Sequence, residues 1–280
     1  MNFSHYLTLA QQTTPFTIDS NWAQGRSVFG GLSAALILTH IEAQTGLTDK
    51  DLRTINVHFC GAIEAGQPCE LSYTEMSDGK SIRQVQGQLM QGGKVKTLIM
   101  ACFGAQRNSS IQVPGIQLPD VKAANESLKF PHIKGVTPNF IKHMDMRFTS
   151  QHFPFSGSDN ATMSGYMRFD DAPACFSDAA ILALIDAWPP AVLAMLKTPA
   201  PASTVTWNIE FIQPRAELES SDFLYYQCDV VLADLGYAHT EGKIYHPNGK
   251  LLALSRQLVA VYDKVPSPLD PENKSPSRSV

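Results

Sequence analysis

The sequence predicts an α+β fold: two helices, each wrapped by antiparallel strands, with the strands of both halves joined into one large curved sheet. Three observations carry this. An apolar helical stretch, then a strand, then a run of further strands occurs twice along the 280 residues. Glycine-rich turns punctuate both strand runs, as hairpins require. Each helix is apolar on most sides, so it needs a sheet face to bury it. The repeat is one of order more than identity, with Gly93-Lys94 and Gly249-Lys250 at equivalent turns.

The first copy opens with a short strand over 16–20. Gly30-Gly31 then starts a helix that runs to about Gln44. Leu32, Ala35, Leu36 and Ala43 keep helical spacing, and Leu38 and Ile41 widen the apolar surface. Gly46 ends it, since glycine takes the left-handed conformation of a helix stop. Strands follow over 53–63, 69–76, 81–90 and 95–103, with Asp78-Gly79 and Gly92-Gly93 as hairpin turns. The irregular stretch 106–143 holds Pro114, Pro119, Pro131 and Pro138 and reads as the connection between halves.

The second copy starts with a strand over 162–169. Ser177-Asp178 starts a helix, because such side chains accept from free first-turn amides. The helix is expected to reach Trp188, where Pro189-Pro190 stops it. Strands follow over 204–211, 223–232, 237–245 and 251–262, with Pro247-Asn248-Gly249 as a hairpin turn. The expected division is an N-terminal unit over 1–107, a linker over 108–144 and a C-terminal unit over 145–264. A Pro- and Ser-rich tail over 265–280 is expected to be disordered. Only the second helix is read as carrying a carboxylate inside its apolar stretch, at Asp186. A chain that doubles a fold and charges one core reserves that half for chemistry and the other for support.

Composition narrows the function. Hydrophobic residues make up 44%, ordinary for a soluble globular protein. A net charge of -4 argues against a nucleic-acid surface. The five cysteines are irregularly spaced without a CxxC pair, which argues against zinc and suits a reducing cytoplasm. Met1-Asn2-Phe3-Ser4-His5 lacks the basic start and apolar core of a signal peptide. The longest apolar stretch, 179–196, is interrupted by Asp186 and two prolines and makes a poor membrane span. The expectation is a cytoplasmic protein with no nucleic-acid or membrane partner. Exposed sheet edges could pair copies into a homo-oligomer.

Several segments together carry a resemblance. They are Trp22 through Gly31 in the first half, then Leu184-Ile185-Asp186-Ala187-Trp188-Pro189-Pro190. Thr204-Val205-Thr206 with Phe211 follows, then Tyr237 through Lys243, and finally Leu254-Ser255-Arg256-Gln257. In order and spacing, over about residues 10 to 263, the chain resembles the double hot-dog acyl-CoA thioesterases, the bacterial type II family. The resemblance implies hydrolysis of acyl-CoA to free acid and coenzyme A, a place in fatty acid metabolism, and no metal or other cofactor. It implies that Asp186, Thr204 and Gln257 hold the attacking water. Thr206 is the alternative hydroxyl, since a short shift of alignment moves the role there.

The residues support this reading and also a blander one. Ile181, Leu182, Leu184, Ile185 and Trp188 leave Asp186 few polar neighbours on its own helix. A charge there is costly unless paired. Burial and a helix C-terminus would both raise its pKa towards that of a useful base. The bland reading is an Asp that ends the helix facing solvent. Gln257 shares a strand face with Ser255, Val259 and Val261, and is either a water-holding amide or a satisfied core residue. Thr204 is a catalytic hydroxyl or an ordinary strand threonine. Gly30 and Gly31 offer free amides to a thioester oxygen, or merely permit tight packing.

Other signals fail or stay weak. Gly79-Lys80-Ser81 lacks the earlier glycine of a phosphate loop, since position 74 is Thr. No G-x-S-x-G elbow is present. His58 and Cys60 could share a strand face, which sheet packing explains. Arg26, Lys80, Arg83 and Arg107 are candidates for coenzyme A phosphates or solvated surface charges. Two other functions compete with hydrolysis. One is a non-catalytic acyl-CoA or acyl-carrier binding module, since this fold hosts many functions. The other is a hydratase built on His152 and Asp159. The acyl chain length stays open, because it depends on how Leu32, Leu36, Leu184 and Trp188 pack.

Overall fold

A computed structural model describes residues 1–263, so the tail expected over 265–280 lies outside the described residues. Helix α1 spans Phe3–Ala10, and strand β1 spans Phe16–Thr17. A ribbon of β2 (Ala23–Gln24) and β3 (Ser27–Val28) leads into α2 (Gly30–Thr45). Strands β4 (Asp51–Phe59), β5 (Pro68–Asp78), β6 (Ile82–Gln91) and β7 (Lys94–Gly104) follow. After β8 (Leu128–Lys129), β9 (Met144–Phe148) and β10 (Thr162–Phe169) comes α3 (Asp178–Asp186). Strands β11 (Ala202–Phe211), β12 (Leu224–Asp234), β13 (Tyr237–Tyr245) and β14 (Leu251–Val261) complete the second half.

Twelve of these strands form one antiparallel sheet in the order β1-β5-β6-β7-β4-β11-β14-β13-β12-β10-β9-β8. The repeat expected from the sequence is visible in this order. After each helix the first strand, β4 or β11, lies at the centre. The next three fold outward and back, so that β7 or β14 returns beside it. The halves join where β4 pairs with β11, from Thr206↔His58 to Glu210↔Thr54. Side chains reinforce that seam: Asn208 Nδ2 donates to Asn56 Oδ1 at 2.9 Å, and Thr54 Oγ1 donates to the Ile209 carbonyl at 2.8 Å.

Both helices form where their residues require. In α2 every residue from Gly31 to Ile41 is buried, as an all-round apolar helix should be. Gly46 ends it with φ of 59°. In α3 the Ser177 side chain accepts from the Ala180 amide, and Ala179 to Ile185 are buried. The window Asp178–Met195 is long and apolar enough to cross a membrane by length and composition, yet 72% of it is buried in this fold. It is a core helix and the short turn that follows.

Some expectations need correction. Helix α3 ends at Asp186, two residues before Trp188: Ala187 closes it through its amide on the Leu184 carbonyl, and Pro189 keeps Trp188 from helical geometry. Strand β4 ends at Phe59, not at 63, because the Cys60 and Gly61 amides turn onto the Lys96 carbonyl. The second sheet half starts earlier than 162, with β9 paired to β10. Helix α1 is an addition. Asn2 caps it, and Phe3, Tyr6 and Ala10 bury one face. Its end docks on α2, where His40 Nδ1 lies 2.9 Å from the Ala10 carbonyl. Finally, α2 also carries an acid: Glu42, just past its apolar run, has a carboxyl that burial pushes up to about 7.

The close approach of α2 to the sheet depends on Gly87 in β6. A Cβ there would lie 2.4 Å from Ile37 Cγ2 and 2.7 Å from Ile41 Cδ1. Overpacking of this kind costs about 1–3 kcal/mol. Gly87→Ala should therefore lower the denaturation midpoint by that amount of stability, read by thermal or urea unfolding. Gly66→Ala, where a Cβ meets nothing within 4 Å, lies at a positive φ of 80° and reports backbone strain without that clash.

Candidate active site

The N-terminus of α2 meets the C-terminus of α3, and Asp186 stands at the junction. As the last residue of α3, its carboxylate sits beyond the apolar turns and is partly buried, opening on a cleft of about 420 Å³. Burial pushes its carboxyl up to about 7, against the opposing pull of the Gly31 backbone amide and the Gln257 side chain. The negative end of α3 acts in the same direction as burial.

Two glycines make the junction possible. A Cβ on Gly30 would lie 2.9 Å from Asp186 Oδ2 and 2.8 Å from Phe59 Cε1. One on Gly31 would lie 2.9 Å from both the Ala183 carbonyl oxygen and Asp186 Cβ. A larger residue at Gly31 would press on the backbone of α3, and one at Gly30 would displace the Asp186 carboxylate and the Phe59 ring. The leading amides of α2 have no helical carbonyl a turn earlier, so they are free to meet an anion.

The sheet supplies the other groups. Alternation along β14 turns Gln257 inward with Ser255 and Val259, and its Nε2 donates to Asp186 Oδ1 at 3.4 Å. Thr204 reaches the same cleft through a register shift in β11 between Thr204 and Thr206. Thr204 pairs with inward-facing Val259, whereas Thr206 pairs with Leu258. Unbroken alternation would give both threonines one face. The bulge separates them. Thr206 instead lines a depression on the outer face of the sheet with Asn56, His58, His239 and Arg256.

The structure thus brings Asp186, Gln257, Thr204 and Gly30 to one cleft, with Gly31 packed directly behind. Val28, Phe59, Ile63 and Trp188 wall it with apolar surface. Trp188 is fixed by stacking on Tyr226 at 5.1 Å and by an Nε1 bond to Met167 Sδ. Leu32, Leu36 and Leu184 are fully buried in the core and do not line it. Two residues that the sequence reading passed over also belong here: Ser33 and Thr97, whose hydroxyls are 3.0 Å apart. A polar position inside the apolar run of α2 was the available signal for Ser33.

Other candidates lie elsewhere. His58 lines the outer-face depression, and the exposed Cys60, just past the end of β4, lines neither that depression nor the cleft. His152 bonds Ser158 at 2.8 Å, and neither it nor Asp159 lines the cleft. Arg26 sits in the turn between cleft-lining Gln24 and Ser27, while Arg83 is paired with Glu75 at 2.7 Å. Lys80 and Arg107 do not line the cleft. Among the described residues, no three His, Cys, Asp or Glu side chains gather as a metal site would need.

Residues 18–104 match the acyl-CoA thioesterase N-terminal domain, and residues 118–261 match the acyl-CoA thioesterase C-terminal domain. No curated protein sequence matches the chain. Among solved structures, a conserved protein with the hot-dog fold from Alicyclobacillus acidocaldarius is similar at 23% identity and a TM-score of 0.80. That similarity covers 93% of this chain and 99% of the other. An acyl-CoA thioesterase II from Mycobacterium marinum is similar at 17% identity and a TM-score of 0.71, covering 94% and 99%. The chain folds as a double hot-dog, and it belongs to the acyl-CoA thioesterase family.

Proposed function

We propose that the chain hydrolyses acyl-CoA to a free acid and coenzyme A, with Asp186 as the general base. The supporting observation is a carboxyl raised to about 7 in the same cleft as an amide, a hydroxyl and a helix N-terminus. Asp186 takes a proton from water as the water oxygen bonds to the thioester carbonyl carbon. Gln257 and Thr204 hold that water between them, since each can donate and accept. The carbonyl oxygen gains negative charge and is met by the leading amide of α2 at Gly30, which lines the cleft, while the Gly31 amide stays with Asp186. The carbon–sulfur bond then breaks. The thiolate takes the proton from Asp186, leaving the acid and the coenzyme A thiol. The acyl chain lies against Val28, Phe59, Ile63 and Trp188, and Arg26 at the turn of β2 and β3 meets the phosphorylated end of coenzyme A.

Three outcomes test this. Asp186→Asn should lower thiol release from acyl-CoA by about 10²–10⁴, the usual worth of a general base. Undiminished turnover would defeat the proposal, and binding without turnover in the wild type would favour a binding module. The Asn variant should stay folded. The folded carboxyl binds its proton more tightly than the ordinary value of 3.8 allows. The native state therefore loses stability as pH rises from about 4 to about 7, and Asn removes that loss.

The pH dependence follows from the same group. The base must be ionised, so kcat/KM should rise with pH through a limb near about 7 and level off above it. A limb near 4 would mean that an ordinary carboxyl, and not one raised by burial, controls the rate. The bulge in β11 gives the third outcome. Thr204→Val should lower kcat while Thr206→Val leaves it near wild type, measured as thiol release under saturating substrate. The reverse pattern would move the hydroxyl role to the outer face and contradict the proposed site.

A further inference from the structure

We infer that Ser33 and Thr97 are positioning residues that aim the Gly31 amide at Asp186. The inference rests on the proposed role of Asp186. Ser33 Oγ donates to the Gly30 carbonyl at 2.8 Å and lies 3.0 Å from Thr97 Oγ1 on β7. Both hydroxyl residues are buried, Ser33 fully. They join the first turn of α2 to a strand 64 residues away in sequence.

The reasoning is geometric. The Gly30 carbonyl and the Gly31 amide belong to one planar peptide unit. In a trans peptide they point in opposite directions. Holding the carbonyl towards Ser33 therefore sets where the Gly31 N–H points, and Gly31 packs directly on Asp186, whose Cβ would lie 2.9 Å from a Cβ placed on that glycine. Glycine on both sides of the unit leaves its plane free to rock. No side chain caps this helix start, so the hydroxyl pair supplies the missing restraint. Buried hydroxyls tend to be paired, and here the pairing fixes a functional peptide rather than only filling a core.

The groups around Asp186 make a distinctive readout available. Gln257 comes from β14, Gly30 and Gly31 from α2, and Phe59 from β4. Tyr226 on β12 is the titratable group that senses Asp186, and burial holds its phenol neutral. Among the described residues no Lys, Arg or His forms an ion pair with Asp186. The Gly31 amide favours the ionised carboxylate. Loosening that amide should therefore make Asp186 harder to ionise.

The test compares Ser33→Ala, Thr97→Val and Thr97→Ser with the wild type, using thiol release from acyl-CoA across pH. Ser33→Ala and Thr97→Val should lower kcat about fivefold to tenfold, the kinetic equivalent of about one hydrogen bond, with KM little changed. In both, the acid limb of the pH profile should move to higher pH. Thr97→Ser keeps the hydroxyl and should keep both values. Thermal unfolding checks that each variant is folded, and if Ser33→Ala is not, the near-isosteric Thr97→Val decides alone. An unmoved acid limb overturns the inference, whether kcat holds or falls, because a merely structural tie would not change the ionisation of Asp186. Full activity in Asp186→Asn would instead overturn the function on which the inference rests. An inactive Asp186→Asn beside an unaltered Ser33→Ala would remove only the positioning role.

Discussion

The structure depends on one close approach: the first turn of α2 against the last turn of α3. Gly30 and Gly31 allow it, since a Cβ on either would stand within 3 Å of Asp186 atoms. The approach sets opposite helix ends against one carboxylate. The C-terminus of α3 makes its charge harder to bear, and the N-terminus of α2 makes it easier. Burial decides the balance in favour of the proton, which is why the carboxyl lies near about 7 and not in the usual acid range.

The seam between β4 and β11 makes that approach permanent. Each half is a helix and a sheet that cannot bury its own helix ends. Pairing Trp207↔Val57 and Ile209↔Ile55 across the seam makes the two sheets one. The helices then lie side by side on its inner face and bury each other. The family match to an N-terminal and a C-terminal domain agrees with this division of the chain. Neither half holds the cleft alone. Gly30, Ser33, Phe59 and Thr97 come from the first, and Asp186, Thr204 and Gln257 from the second.

An acid kept near neutrality is expensive for the fold, and the surroundings show how it is tolerated. One wall is polar, with Gln257 donating to Asp186 and the Gly31 amide beside it. The other is apolar, from Trp188 stacked on Tyr226 and from Phe59. The polar wall keeps the carboxylate from being lost entirely to protonation. The apolar wall keeps it from becoming an ordinary surface acid.

Much of this was legible in the sequence. The two apolar helices, their starts at Gly30 and Ser177, the hairpin at Gly92-Gly93 and the acid that follows the apolar run of α3 are all visible from periodicity and turn chemistry. Those signals act between residues a few positions apart. Helix α1 was missed although Asn2, Phe3, Tyr6 and Ala10 spell a cap and a buried face, because eight residues give a weak period. Glu42 was passed over because it stands just outside the apolar run. Only the tertiary structure decided that Thr204 and not Thr206 faces the cleft, because a bulge reverses the alternation that sequence reading assumes. Only it could bring Gln257 to Asp186 across 71 residues, or Ser33 to Thr97 across 64. Such contacts are set by sheet order and helix packing, and no local pattern along the chain encodes which distant hydroxyl or amide will stand beside a given acid.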